Sequence, residues 1–455
     1  MLYKKEDLEF IIKYILLFGV NYVEINSIKK EKRIIDLNLK NNITNIFYET
    51  GTTILFNYNN QKYTISINNT NNIKLICKKI KKNIFLKNSK KKYKTKIVKF
   101  KLNIENVDKK ESRFDYFYDN IYLEIIKKFC EKHKKIVNLN IPLLYEKKET
   151  CIANSTGKYV FKIEYYYKMD ILMSAILNGK IRFNYYSEGI CSQKNKLKNI
   201  KLEHQLNILY NSLLKMNTID NYRKKIPVVL SSGIGGVLIH EACGHSLESR
   251  EILKNKSILN LCTDVENSAL TIVDDPTILN LFGSSIFDDE GNKTHRIELI
   301  KDGKIKNYLI DNDGSSFLNK NGHFNGRRES YYNLMSSRMS NTYILPGKYD
   351  FEEIITSVKY GIYVKNVVGG VVDTISGNFS FNCLESYLII DGKIDYTRAL
   401  DNLSIIGNTM DMLKKISMIG NDLKFCCGIC GSESGFIYTT VGQPTIKIDE
   451  LFVEG

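Results

Sequence analysis

The sequence predicts an α+β protein: N-terminal mixed α/β units followed, from about residue 225, by a strand-rich C-terminal domain built around one short motif-bearing helix. Three observations lead there. Helical and strand periodicities alternate up to about residue 218. Beyond residue 225 strand patterns dominate, with the motif helix and one further helix as the exceptions. A chain of 455 residues exceeds what one hydrophobic core usually serves, so two or three domains are expected.

Taken in order, residues 6–18 carry Leu8, Ile11, Ile12, Ile15 and Leu16 on one helical face. After Gly19, short strands are expected at 22–28, 34–39, 44–48, 53–58 and 62–67, separated by Asn-rich turns, then a helix over 73–84. Residues 83–101 are the most polar and lysine-dense stretch and read as a linker, which sets an N-terminal α+β domain (1–85) apart from a central one (100–218). The central unit opens on a helix over 114–132 and continues in strands near 136–145, 150–154, 158–167 and 180–186. It closes on a charged helix over 198–216, where Leu202, Leu206, Leu209 and Leu213 form one stripe. In the third unit (225–455) a helix is expected near 410–419, and Gly369-Gly370 reads as a tight turn.

The chemistry concentrates in His240-Glu241-Ala242-Cys243-Gly244-His245. Two neutral imidazoles can hold Zn²⁺, and a carboxylate beside the metal can take a proton from water. Zinc-protease helices carry H-E-x-x-H, whose histidines lie four apart on one face. Here they are five apart. In an unbroken α-helix that separation turns the second ring by roughly 500°, leaving it about 140° from the first. Joint coordination therefore requires a kink, a bulge or a helix end, and Gly244 supplies backbone freedom where it is needed. The lead-in, Pro227 through Ile239, reads as a buried strand, a Ser/Gly loop and an apolar helical turn, a setting for a pre-organised site.

A third ligand is required. Of the other histidines, His133 and His204 lie in charged surroundings and read as solvated. Cys426-Cys427-Gly428-Ile429-Cys430-Gly431 offers sulfur flanked by glycines; Cys427-x-x-Cys430 alone is half a zinc ribbon or a redox pair, and no second C-x-x-C accompanies it. Cys77, Cys130, Cys151, Cys191, Cys243, Cys262 and Cys383 are scattered and read as ordinary thiols.

The chain resembles the TldD/PmbA family of metalloproteases, and within it the TldD-type, metal-bearing subunit. The resemblance rests on Gly236 through Glu248 with its H-E-x-x-x-H, on Phe287-Asp288-Asp289-Glu290-Gly291, on Asn325 through Tyr331 with Arg338 through Tyr343, and on Cys430-Gly431 followed by Val441-Gly442-Gln443-Pro444-Thr445. It is strong from about Pro227 onward and faint before it, where Ala153 through Gly157 is the main match. Ser432-Glu433-Ser434-Gly435-Phe436 departs from the family in lacking basic and glutamine residues. The resemblance implies a C-terminal zinc metalloprotease domain over 225–455, with one Zn²⁺ per chain held by His240, His245 and Cys430 and Glu241 as catalytic base. It also implies a peptide or unfolded polypeptide substrate, and a homologous PmbA/TldE-like subunit (heterodimer) or a second copy (homodimer) as partner. Arg327 and Arg328 suit a substrate carboxylate, or ion pairs with Asp288, Asp289 or Glu290.

Two other classes compete: a catalytically inactive partner or scaffold subunit, and a basic nucleic-acid-associated protein. The net charge of +16 invites the second. Lysines cluster at 78–82, 87–92 and 132–135, yet no nucleic-acid-binding motif accompanies them. Richness in Ile, Asn, Tyr and Phe, five prolines and no tryptophan point instead to an AT-rich coding sequence that inflates Lys. No specific nucleic acid and no membrane partner are expected: Glu9 and Lys13 interrupt the apolar run over 8–20. Ten cysteines without a regular framework fit a reducing, cytoplasmic setting.

Overall fold

The computed structural model describes residues 3–38, 43–59, 61–68, 73–85, 119–197, 200–218, 222–260, 264–318 and 324–455. Most of the expected linker, the start of the 114–132 helix, the lysines at 87–92, Cys262 and His323 lie outside them.

Helix α1 (Lys5–Leu16) starts where Asp7 accepts from Lys4 N–H, with Glu6 and Asp7 near its positive end. Its face of Leu8, Ile11, Ile12 and Ile15 is fully buried. Strands β1 (Tyr22–Asn38), β2 (Ile43–Tyr58) and β3 (Gln61–Asn68) follow, then α2 (Ile73–Phe85), α3 (Asp119–Lys132), β4 (Ile136–Asn154), β5 (Tyr159–Leu177), β6 (Lys180–Cys191) and α4 (Leu202–Lys215). These strands form one antiparallel sheet in the order β3-β2-β1-β4-β5-β6. Because β1 pairs with β4 from Glu24↔Asn154 to Asn38↔Asn140, the expected units 1–85 and 100–218 share a single sheet.

The strands are longer than the sequence suggests, and the reason is electrostatic. The expected breaks at 29–33 and 146–149 are charged runs inside β1 and β4. Their side chains are answered from elsewhere: Lys30 donates to Glu329 O at 2.9 Å, and Lys148 lies 3.2 Å from Asp289. The sheet thus has apolar ends and a polar belt between them. One end packs α1 and α2 against Val23, Ile25, Ile54 and Ala153. The other packs α3 and α4 against Leu139, Leu143, Met169 and Ile171, with the whole predicted leucine stripe buried.

The C-terminal half comprises β7 (Met216–Thr218), β8 (Arg223–Leu230), α5 (Gly236–Ile239), α6 (Ser249–Leu253), β9 (Ile272–Asp274), β10 (Ile297–Lys301), β11 (Lys304–Ile305), α7 (Asn312–Leu318), β12 (Gly326–Arg327), β13 (Ser336–Ser337) and β14 (Asn341–Ile344). It continues through α8 (Phe351–Thr356), β15 (Tyr360–Val372), β16 (Asn378–Ile390), β17 (Lys393–Ile394), β18 (Ala399–Asp401), β19 (Leu403–Asn408), α9 (Thr409–Lys414), β20 (Ile416–Ile419), β21 (Lys424–Ser432), β22 (Gly435–Gln443) and β23 (Ile446–Glu454). One sheet runs β15-β8-β23-β19-β16-β18-β7, and another β11-β10-β9-β14-β22-β21. Between them lies the largest core, where Leu238, Ile239, Ala242, Cys243 and Leu247 of the motif segment meet Val228, Ile362 and Ile446 of the first sheet and Ile272 and Ile344 of the second.

Two expectations are corrected here. The helix near 410–419 ends at Lys414, because Ile416–Ile419 pairs with β23. Gly369-Gly370 is no tight turn: it lies within β15 beside an irregular register with β16, where Gly369 takes φ +143° and a Cβ on Gly370 would strike Phe381.

Asp289 latches the halves together. It pairs with Lys148 of β4 at 3.2 Å and Lys162 of β5 at 2.9 Å, and accepts from Arg328 N–H. Burial raises its pKa, but the two ammonium groups outweigh that and hold the carboxyl well below the usual range. A depressed carboxylate pKa contributes stability that is whole at neutral pH and erodes as pH falls below about 4. Asp289→Asn should therefore lower unfolding free energy by about 3 kcal/mol in urea titrations at pH 7, because it takes from buried Lys148 its carboxylate partner and leaves Lys162 with Glu164 alone. A loss under about 1 kcal/mol would show that Lys148 does not depend on this partner.

Candidate metal centre

The motif segment is fixed by its approach. Leu230 ends β8 in the core; Ser231 then donates through its main-chain N–H to Val364 O at 3.0 Å and through Oγ to Lys365 O at 2.9 Å. Gly233 turns the chain with φ +82° and donates to Gln443 O at 2.8 Å. Helix α5 then lies directly on β22: a Cβ on Gly236 would sit 2.8 Å from Gly442 N. After one α-helical turn, His240–Gly244 is wound as a π-helix and His245–Leu247 as a 3-10 turn.

This change of winding solves the five-residue spacing. His245 N–H donates to His240 O, an i→i+5 bond, so the second histidine closes one wide turn above the first. The ring centroids stand 5.3 Å apart at 87°. Gly244 itself has ordinary helical angles, φ −58° and ψ −56°, so conformational freedom is not why glycine is there. Space is: a Cβ would lie 1.8 Å from Met339 Sδ.

Opposite the turn stands Cys430 on β21, paired with Ile437 of β22. Ligand atoms of His240, His245 and Cys430 all lie within 4.8 Å of one another, and Cys430 Sγ is 3.2 Å from His245 Nε2. Burial pushes the Cys430 thiol up, but the charges and hydrogen bonds of His240 and His245 prevail and bring it to about 4. For His245, burial pulls the pKa down, while Glu248 and Cys430 carry it well above the ordinary value. His240 Nδ1 is buried without a hydrogen-bond partner among the described residues. Two imidazoles, a thiolate and one open side suit zinc, with its nitrogen and sulfur preference and four-coordinate geometry. Glu241 reaches to 3.6 Å from His245 Nε2 and is partly exposed, so it meets the cluster from its accessible side.

A family model covers the half of the chain that carries these residues. The PmbA/TldA metallopeptidase C-terminal domain matches residues 223–455. A metalloprotease TldD homolog of Buchnera aphidicola (subspecies Acyrthosiphon pisum) is 35% identical over 333 residues, 70% of this chain and 68% of that protein. The chain belongs to the TldD/PmbA family. A TldD homolog of Haemophilus influenzae is 42% identical over 234 residues, 50% of this chain and 48% of that one. A zinc metalloprotease TldD homolog of Saccharolobus solfataricus is 31% identical over 231 residues, 50% of this chain and 51% of its own length. The matched stretch spans about half of each of these two relatives. The TldE crystal structure from Thermococcus kodakarensis shares the fold over 99% of this chain and 100% of that one, with a TM-score of 0.78 at 17% identity.

The two arginines of the Asn325–Tyr331 segment make contacts with the protein's own main chain and side chains. Arg327 donates to Met339 O and Tyr438 O, and the Arg328 guanidinium to Thr53 and Tyr331 O, while the side-chain ion pairs of Asp289 are with Lys148 and Lys162. His133 is not solvated as expected: its ring packs between Phe129 and Tyr210. His204 is exposed. Cys427 faces Ser187 at 3.2 Å, and neither it nor Cys426 belongs to the ligand group. Sequence reasoning gave no role to Glu248, whose Oε1 lies 3.2 Å from His245 Nδ1; an acid three residues past a ligand histidine was the available signal.

Gly244→Ala should displace Met339 or the turn itself. The expected outcome is a folded protein with at least ~10-fold weaker Zn²⁺ binding by chelator competition. Unchanged affinity would mean that the contact with Met339 does not shape the site.

Proposed function

We propose that this chain is a zinc-dependent peptidase acting on peptides or unfolded polypeptide segments. The observation that carries the reading is the meeting of His240, His245 and Cys430 around one point, with the Glu241 carboxylate on its open side. Bound Zn²⁺ would supply Lewis-acid polarisation of a peptide carbonyl and acidify a water. A thiolate ligand offsets part of the ion's charge and leaves that water less acidic, so more of the work falls to a base. Glu241 is placed to take the proton and return it to the leaving amine.

The strand that bears Cys430 supports an extended substrate. β21 is outermost in its sheet. On β22, Phe436 N–H donates to Glu329 and Tyr438 O accepts from Arg327, so both residues turn their main chain away from β21. Their antiparallel partners Gly431 and Ile429 must then turn theirs outward. Both are exposed. An added strand there would be bound through its main chain, which favours unfolded segments over one side-chain sequence. Alternate side chains would face a cavity of about 290 Å³ lined in part by Lys30, Lys32, Glu146, Ile429 and Tyr438. A TldE/PmbA-type subunit, or a second copy, is the proposed partner, and a reducing cytoplasm the proposed setting, in keeping with nine free cysteines among the described residues.

Metal analysis and cleavage of an unfolded peptide test this on wild type, Glu241→Ala and Cys430→Ala. The first two should each carry about one Zn²⁺ per chain, with cleavage only in the wild type, and Cys430→Ala should lose the metal. Wild-type protein purified metal-free without chelators, or full activity in Glu241→Ala, would defeat the proposal.

A further inference from the structure

We infer that Arg338 and Glu248 form one positioning unit that sets the separation between the two halves of the metal centre. This rests on the reading that His240, His245 and Cys430 hold Zn²⁺. The halves come from elements far apart in the chain, the π turn and the β21–β22 hairpin, and a side-chain relay joins them. Glu248 ends the 3-10 turn with its side chain buried; its Oε1 is 3.2 Å from His245 Nδ1 and 3.6 Å from Arg338 Nε. The same guanidinium reaches the hairpin: Nη2 donates to Cys430 O at 2.8 Å, and Nη1 to Ser434 Oγ at 2.7 Å and Gly435 O at 3.3 Å. One planar fork, 1% exposed, thus touches the carboxylate behind one ligand and the main chain of another.

Each contact has a consequence for coordination. A carboxylate 3.2 Å from Nδ1 favours a proton on that nitrogen, so Nε2, 3.2 Å from Cys430 Sγ, is the nitrogen that would give up its proton to a metal. The donation to Cys430 O fixes the strand at the ligand residue itself. The segment bearing Arg338 is anchored as well: Arg338 N–H donates to Asn325 O, Met339 fills the space beside Gly244, and Ser340 is held by Asp274 through both its N–H and its hydroxyl. A buried ion pair adds little net stability on average, so burying this one is better explained by geometry than by stability. Lysine could preserve the charge but cannot span both partners.

The test uses the full-length protein with Arg338→Lys, Glu248→Gln and the double variant. Zn²⁺ affinity is read by chelator competition, the thiolate-to-metal absorption band is read on Co²⁺-loaded protein, and thermal melting of the metal-free protein monitors the fold. Each single change should weaken Zn²⁺ binding about 10- to 100-fold and alter the Co²⁺ spectrum. The double variant should lose little more than either single, because the two side chains act as a unit. Single variants that are folded and bind Zn²⁺ within about twofold of wild type, or losses that simply add, would overturn the inference. If Arg338→Lys does not fold, Glu248→Gln decides by the same criterion. A wild type that takes up no Zn²⁺ overturns the underlying reading, whereas wild-type uptake with unaltered variants overturns this inference alone.

Discussion

The hydrogen bond from His245 N–H to His240 O is the constraint on which the site depends. Two imidazoles five residues apart face one point in a continuous winding when the turn between them widens, and a wide turn is a poor winding on its own. The surroundings impose it. Ala242 and Cys243 are fully buried between two sheets, Ser246 Oγ donates back to Ala242 O, and Met339 closes on Gly244. Each contact removes an alternative path for the backbone, so packing maintains what local propensity would not.

Strand β22 carries that geometry through the rest of the molecule. Gly442 lies beneath α5, Ile437 is paired with Cys430, and Tyr438 donates to Glu146 of β4 at 2.6 Å. One strand therefore registers the histidine turn, the sulfur and the N-terminal sheet. The polar belt across β1, β4 and β5 belongs to the same arrangement. Its lysines receive Asp289 and the carbonyls of Arg328 and Glu329, seating the C-terminal loops on the sheet.

What the sequence made legible was local chemistry. The histidine spacing, the need for a break in regular winding and the nearby carboxylate can be read from six adjacent residues. Helix α1 and the leucine stripe of α4 follow from periodicity alone. Cys430 was reached only through family resemblance, since no local pattern ties it to a motif nearly two hundred positions away. Strand lengths are not legible locally, because charged runs such as Lys29 through Arg33 resemble turns until their distant partners are known. From sequence Gly244 reads as a flexible joint, whereas its small size is what the fold uses. Arg338 lies in a segment that carries the family resemblance, but its role has no local signature, because its partners lie on two other elements.

The separation of 185 positions between His245 and Cys430 has a thermodynamic corollary. An ion gripping both ends acts as a cross-link that closes a very long loop. Chain statistics for cross-links put the entropy so removed from the unfolded ensemble at on the order of 5 kcal/mol. Zinc would then serve this polypeptide as a staple as well as a reagent, and a melting temperature indifferent to added Zn²⁺ would contradict that view.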